Sequence, residues 1–149
     1  MPSDAWPISH NTQLKMNRRA FFANSAGLAL LTSTPGVSAS ESQFNYTPEL
    51  LEIALDSGGP VLLGFHAAWC STCRTQERVV ASLLEENEIY ANVTIIIADW
   101  DEQKRSDLVK ELRIPRRSTL VMFNKGEEVD RVIAQTSRAS IENLFKAVT

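Results

Sequence analysis

The chain has 149 residues, 44% of them hydrophobic and 22% charged, with a formal net charge of −3. That length suits a single globular domain and leaves no room for a second sizeable core. Without residues 1–39 the chain keeps 12 basic and 17 acidic side chains, a net charge of −5, which argues against nucleic acid or an anionic membrane surface as its partner.

Residues 1–15 carry Pro2 and Pro7 among mixed polar residues with no helical or strand periodicity. They are expected to be disordered, or to lie upstream of a true start at Met16. Residues 16–39 have the outline of an export signal: Arg18 and Arg19, then Phe21 and Phe22, an apolar stretch to Leu31, and small residues ending at Ala39. Paired arginines before phenylalanines are similar to a twin-arginine signal, with a general secretory signal as the alternative. The apolar stretch is too short to cross about 30 Å of hydrocarbon. Cleavage after Ala39, a periplasmic location and no stable membrane insertion after cleavage are therefore expected, with residues 40–149 as the folded domain.

In that domain a short strand at Phe44–Tyr46 precedes a helix with Thr47 as N-cap, Pro48 and Glu49 in its first turn, and Gly58-Gly59 as its stop. Val61 to His66 has the continuous apolar character of a buried strand. Helical spacing follows from Gln76 to Glu86, with Val79, Val80, Leu83 and Leu84 on one side. Between strand and helix stand the two cysteines of the sequence, Cys70 and Cys73. At a helix N-terminus the unpaired N–H groups favour a thiolate, so Cys70 is expected to be the exposed, more acidic nucleophile. Cys73, one turn later and shielded, can attack a mixed disulfide formed at Cys70.

Other readings compete. A structural disulfide closing a four-residue loop is worth only roughly 2 kcal/mol. A zinc site needs four ligands, and only His10 and His66 supplement the cysteines. A soft ion such as Cu(I), held between the two thiolates, is the stronger metal alternative.

Further along, Val93 to Ala98 is β-branched and reads as a central strand parallel to Val61–Phe65. Asp101 to Leu112 reads as one helix with Leu108, Val109 and Leu112 apolar. Thr119–Phe123, a turn at Asn124–Glu127 and Val129–Ile133 read as a hairpin. A last helix is capped by Ser137 and presents Ile141, Leu144, Phe145 and Val148.

The segment Trp69-Cys70-x-x-Cys73 after an apolar strand resembles the active-site segment of the thioredoxin-like family. The Cys70-Ser71-Thr72-Cys73 variant and the later Ala98-Asp99-Trp100-Asp101 look most similar to exported bacterial thiol–disulfide reductases. The resemblance spans Thr47 to Val148 and implies an α/β thioredoxin fold, a central mixed β-sheet flanked by helices on both faces. It also implies a thiol–disulfide oxidoreductase without cofactor that reduces protein disulfides and takes electrons from a membrane or periplasmic thiol donor. The cysteines would be catalytic, with Trp69, Ser71, Thr72, His66, Arg117, Ser118 and Thr119 as active-site neighbours.

Two departures from the family pattern stand out. Its buried strand Asp falls at Gly64, and the usual lysine partner falls near Ile95 or Ile97, so the pair is replaced together. This leaves the deprotonation of Cys73 to water, the substrate or His66, which reads alternatively as a strand residue with a satisfied ring. The family's cis-proline, eight residues before the hairpin Gly126, falls at Ser118, because Pro115 is three residues too early. The Arg117-Ser118 bond is expected to be trans, since a cis bond before serine costs about 2.5–4 kcal/mol. The Ser118 hydroxyl should lie beside the cysteines, and a proline restored there should largely preserve disulfide exchange. Arg113, Arg116 and Arg117 could recruit an acidic partner, raise the thiolate fraction at Cys70, or simply solvate the loop.

Overall fold

The computed structural model describes residues 43–149. The upstream segment, the export signal and its cleavage point lie outside the described residues. Five strands form one mixed sheet in the order β1-β3-β2-β4-β5, namely β1 (Gln43–Asn45), β2 (Val61–His66), β3 (Thr94–Asp99), β4 (Thr119–Asn124) and β5 (Glu127–Ile133). Strands β1, β3 and β2 are parallel, whereas β4 runs antiparallel to both β2 and β5. β2 is therefore central and covered on both faces, which is why it is apolar throughout and not alternating.

The two faces follow from the two-residue period of a strand. Val61, Leu63 and Phe65 point to one side, where they pack with Leu51 and Ala54 of α1 (Pro48–Asp56). Leu62 points to the other and packs with Val80 and Leu83 of α2 (Ser71–Glu86) and with Ile141, Leu144 and Phe145 of α5 (Arg138–Lys146). Burying each of these leucines stabilises the fold by roughly 2 kcal/mol. The caps at Thr47 and Ser137 form as expected, each side-chain oxygen accepting an N–H of the first turn.

α2 begins at Ser71, directly after Cys70, which serves as its N-cap, in agreement with the placement of the cysteines at a helix N-terminus. One element differs from expectation. The helix expected over 101–112 is broken into α3 (Trp100–Gln103) and α4 (Asp107–Glu111). Asp99 caps α3, and Ser106 caps α4 by accepting the Val109 N–H at 3.4 Å; such a side-chain bond offers the backbone an alternative to a continuous helix. In the β4–β5 hairpin, Lys125 and Gly126 both have positive φ, 54° and 79°, the pattern of a two-residue turn whose twist matches the strands.

Candidate active site

Strand β2 ends at His66, the chain turns through Ala67–Trp69, and α2 starts immediately after Cys70. The Cys70 N–H donates to the Ala67 carbonyl at 2.9 Å, and the Cys70 sulfur accepts the Cys73 N–H at 3.3 Å. The sixteen-residue helix thus directs its first-turn donors and positive end at this sulfur. Both cysteines are free thiols. Cys70 is only 5% exposed and Cys73 2%, so an openly exposed Cys70 is not what the fold provides. Ser118 lies over both sulfurs, and Trp100 packs beside them.

Ser118 is held tightly. Its peptide bonds are trans and its φ is +60°, a left-handed conformation unusual for serine. Its N–H donates to the Phe65 carbonyl at 2.8 Å, extending the β2–β4 ladder by one rung. Its carbonyl accepts from the Ala134 N–H at 2.8 Å and from Gln76 Nε2 at 3.1 Å. The hydroxyl then sits 3.2 Å from Cys70 Sγ and 3.0 Å from Cys73 Sγ. A proline has no N–H to give Phe65 and cannot reach this φ. Serine at 118 is therefore accommodated by a rebuilt loop and not by a simple exchange of side chains.

Electrostatics separate the two thiols. Burial pushes Cys70 up, but hydrogen bonds from the Cys73 side chain, the Ser118 hydroxyl, the Cys73 N–H and the Arg117 guanidinium outweigh it and bring the thiol down to about 7. Cys73 is pushed up, first by burial and then by its role as hydrogen-bond partner to Cys70. Around them, the Arg117 guanidinium stacks 4.3 Å from the Trp69 ring centroid, and Trp69 Nε1 donates to Asp101 Oδ2 at 2.7 Å. The Trp69 hydrogen bond, followed by that of Lys104, holds the Asp101 carboxyl below its usual range. Arg117 alone of the three loop arginines is brought to the pair, while Arg113 and Arg116 are exposed. Ser71 is exposed and Thr72 half-buried in the first turn of α2. Thr119 is buried and ties the loop by donating from Oγ1 to the Arg116 carbonyl at 2.8 Å.

The register identifies the second replaced family position as Ile97, directly opposite Gly64. A Cβ at residue 64 would lie 3.0 Å from Ile97 Cδ1 and 3.3 Å from Leu120 Cδ2, so the isoleucine has moved into space that an acid would need. His66 Nε2 is 3.3 Å from Glu77 Oε2, yet this nitrogen is buried without an aligned hydrogen bond. Gln76, Glu77 and Asp101 are site residues that sequence reasoning missed. The signal for Gln76 was a polar residue on the buried stripe Cys73, Gln76, Val80, Leu83. For the copper alternative, the pair offers two sulfurs and the Ser118 oxygen; among the described residues no group of three or more His, Cys, Asp or Glu is placed to hold a metal ion.

The comparisons with known proteins follow this geometry. The thioredoxin family model matches residues 40–147. A thioredoxin of Aspergillus fumigatus is 29% identical over 96 residues, covering 64% of this chain and 84% of that protein. The thioredoxin of Porphyra purpurea is 32% identical over 84 residues, 56% of this chain and 75% of that protein. Among solved structures, Trxlp from Edwardsiella tarda is 28% identical with a TM-score of 0.63, covering 69% of this chain and 97% of that one. With its mixed five-stranded sheet and its Cys70–Cys73 pair at the start of α2, the chain belongs to the thioredoxin family and is a thiol–disulfide oxidoreductase.

Proposed function

We propose that the protein is an exported reductase of protein disulfides. The observation that carries the direction of electron flow is the Cys70 thiol at about 7. That value stands in the range of thioredoxin-type reductants and far from the much more acidic thiols of strong disulfide donors. In this reading the Cys70 thiolate attacks a substrate disulfide, forming a mixed disulfide and releasing one substrate thiolate. Cys73 then loses its proton and attacks Cys70 Sγ, which breaks the mixed disulfide, releases the second substrate thiolate and leaves Cys70 and Cys73 joined. Two electrons pass to the substrate, and a thiol donor in the membrane or periplasm returns them. Arg117 and Trp69 frame the surface a substrate meets, while Ser71 and Thr72 set the first turn of α2. Export rests on the signal-like residues 16–39. No helix among the described residues is long and apolar enough to cross a membrane.

Equilibration of the Cys70/Cys73 couple with glutathione tests the direction. A potential near −270 mV, that of thioredoxin, is expected, and one approaching −120 mV would mark a disulfide donor. N-terminal sequencing of periplasmic protein should begin at or near Ser40; full-length protein confined to the cytosol would refute export.

A further inference from the structure

Resolution of the mixed disulfide requires Cys73, whose thiol is pushed up by burial, to give up a proton. At residue 64, where an acid could have taken it, there is glycine. A cavity of about 250 Å³ lies at this point, lined by Cys73, Gly64, Gln76, His66 and Glu77 together with aliphatic side chains including Leu120. A second, polar cavity of about 450 Å³ is lined by Asn45, Asp99 and Glu102, and shares His66, Glu77, Gln43 and Ile97 with the first. His66 and Glu77 therefore stand between the space beside Cys73 and a polar space that leads outward. A cavity with polar partners and far more than about 30 Å³ accommodates water.

We propose that His66, positioned by Glu77, receives the proton that leaves Cys73 during resolution and passes it to the polar cavity. The proposal rests on the reading of Cys70 as nucleophile and Cys73 as resolving thiol. Glu77 Oε2, 3.3 Å from His66 Nε2, is an acceptor only and favours the hydrogen on Nε2, which leaves the ring's lone pair on Nδ1 as the proton acceptor. On protonation that approach becomes an ion pair, stabilising the imidazolium just formed. The titratable groups that line the two cavities with His66 favour the same outcome: Glu77 and Glu85 from α2, Asp99 opposite His66 on β3, and Glu102 from α3 are acidic, while Tyr46 and Cys73 are neutral when protonated. Imidazole is the side chain suited to taking and returning a proton near neutral pH. The step balances. The proton goes from Cys73 Sγ to His66 by way of water in the cavity, the sulfur electron pair forms the bond to Cys70 Sγ, and the substrate sulfur leaves with the pair from the broken bond.

The test uses the reduced full-length protein and the aromatic disulfide DTNB, which releases one coloured thiolate when Cys70 attacks and a second when Cys73 resolves the adduct. In His66→Phe the first release should stay within about twofold of wild type, while the second slows by roughly tenfold to a hundredfold at pH 7. The second phase of wild type should depend less steeply on pH than that of His66→Phe, which follows the deprotonation of Cys73 itself. Glu77→Gln, at a half-exposed helix position that does not threaten folding, should also slow the second release, because the imidazolium formed in the step loses its counter-charge. A second phase with wild-type rate and pH profile in both variants would overturn the proposal. A first release at the wild-type rate in Cys70→Ser would instead overturn the assignment of Cys70, and the proposal with it.

Discussion

The Ser118 N–H donates to the Phe65 carbonyl at 2.8 Å. With the Ala134 and Gln76 bonds to its carbonyl, this bond holds the serine where its hydroxyl meets both sulfurs, and it bears on what substitutions at 118 will do. Ser118→Pro removes the donor and cannot adopt a φ of +60°, so it should destabilise the protein by about 3 kcal/mol or more in urea melts. That reverses the sequence-based expectation that proline is tolerated. Ser118→Gly accepts the same φ and keeps the N–H. It should fold with stability within about 1 kcal/mol of wild type and lose only the hydroxyl, raising the Cys70 thiol from its value of about 7.

The pH dependence follows from the two thiols. Alkylation of Cys70 in the reduced protein should rise with pH through about 7. Because Cys70 is held below its ordinary 9.0, the unfolded chain binds more protons between about pH 7 and 9. The stability it contributes is therefore present in full above about 9 and is lost as the pH falls through 7. Cys73 has the opposite sign: its raised thiol contributes stability below 9.0 that is lost as the pH climbs through its folded value. Urea melts of the reduced protein should show a gain of roughly 1–2 kcal/mol from pH 7 to 9, and Cys70→Ser should flatten it.

Arg117 stacks on Trp69 and also reaches Cys70. Arg117→Met should slow iodoacetamide labelling of Cys70 at pH 7 by roughly twofold to fivefold, the equivalent of about 0.5–1 kcal/mol for a half-exposed charge. Arg117→Lys should restore part of the rate, since the charge returns without the planar stack.

Gly64→Asp places a Cβ 3.0 Å from Ile97 Cδ1 and buries an unpaired acid. A loss of about 3–5 kcal/mol is expected, and adding Ile97→Lys should recover part of it by pairing the charge across the register. A double-mutant cycle showing no coupling between residues 64 and 97 would refute this account of their joint replacement.

The sheet and the cysteine pair were legible because their signals are local. Continuous burial makes Val61–Phe65 apolar throughout, and the spacing of Cys70 and Cys73 after a strand already implies a helix start. The role of Cys70 as the N-cap of α2 was less so, because Ser71-Thr72-Cys73-Arg74-Thr75 carries no apolar stripe to mark the first turn. The break between Trp100 and Leu112 turns on one side-chain bond from Ser106. The left-handed Ser118 is the hardest to read, since serine seldom adopts that conformation and only tertiary contacts with Phe65, Gln76 and Ala134 hold it. His66–Glu77 likewise depends on α2 crossing the end of β2, which no periodicity reveals.

The division of labour between the two cysteines is tested most directly by mass spectrometry of trapped adducts. Reduced Cys73→Ser, incubated with a disulfide-containing protein and run without reductant, should accumulate a mixed disulfide mapped to Cys70, and Cys70→Ser should accumulate none. An adduct mapped to Cys73 in Cys70→Ser, formed at a comparable rate, would contradict the assignment of Cys70 as the attacking thiol.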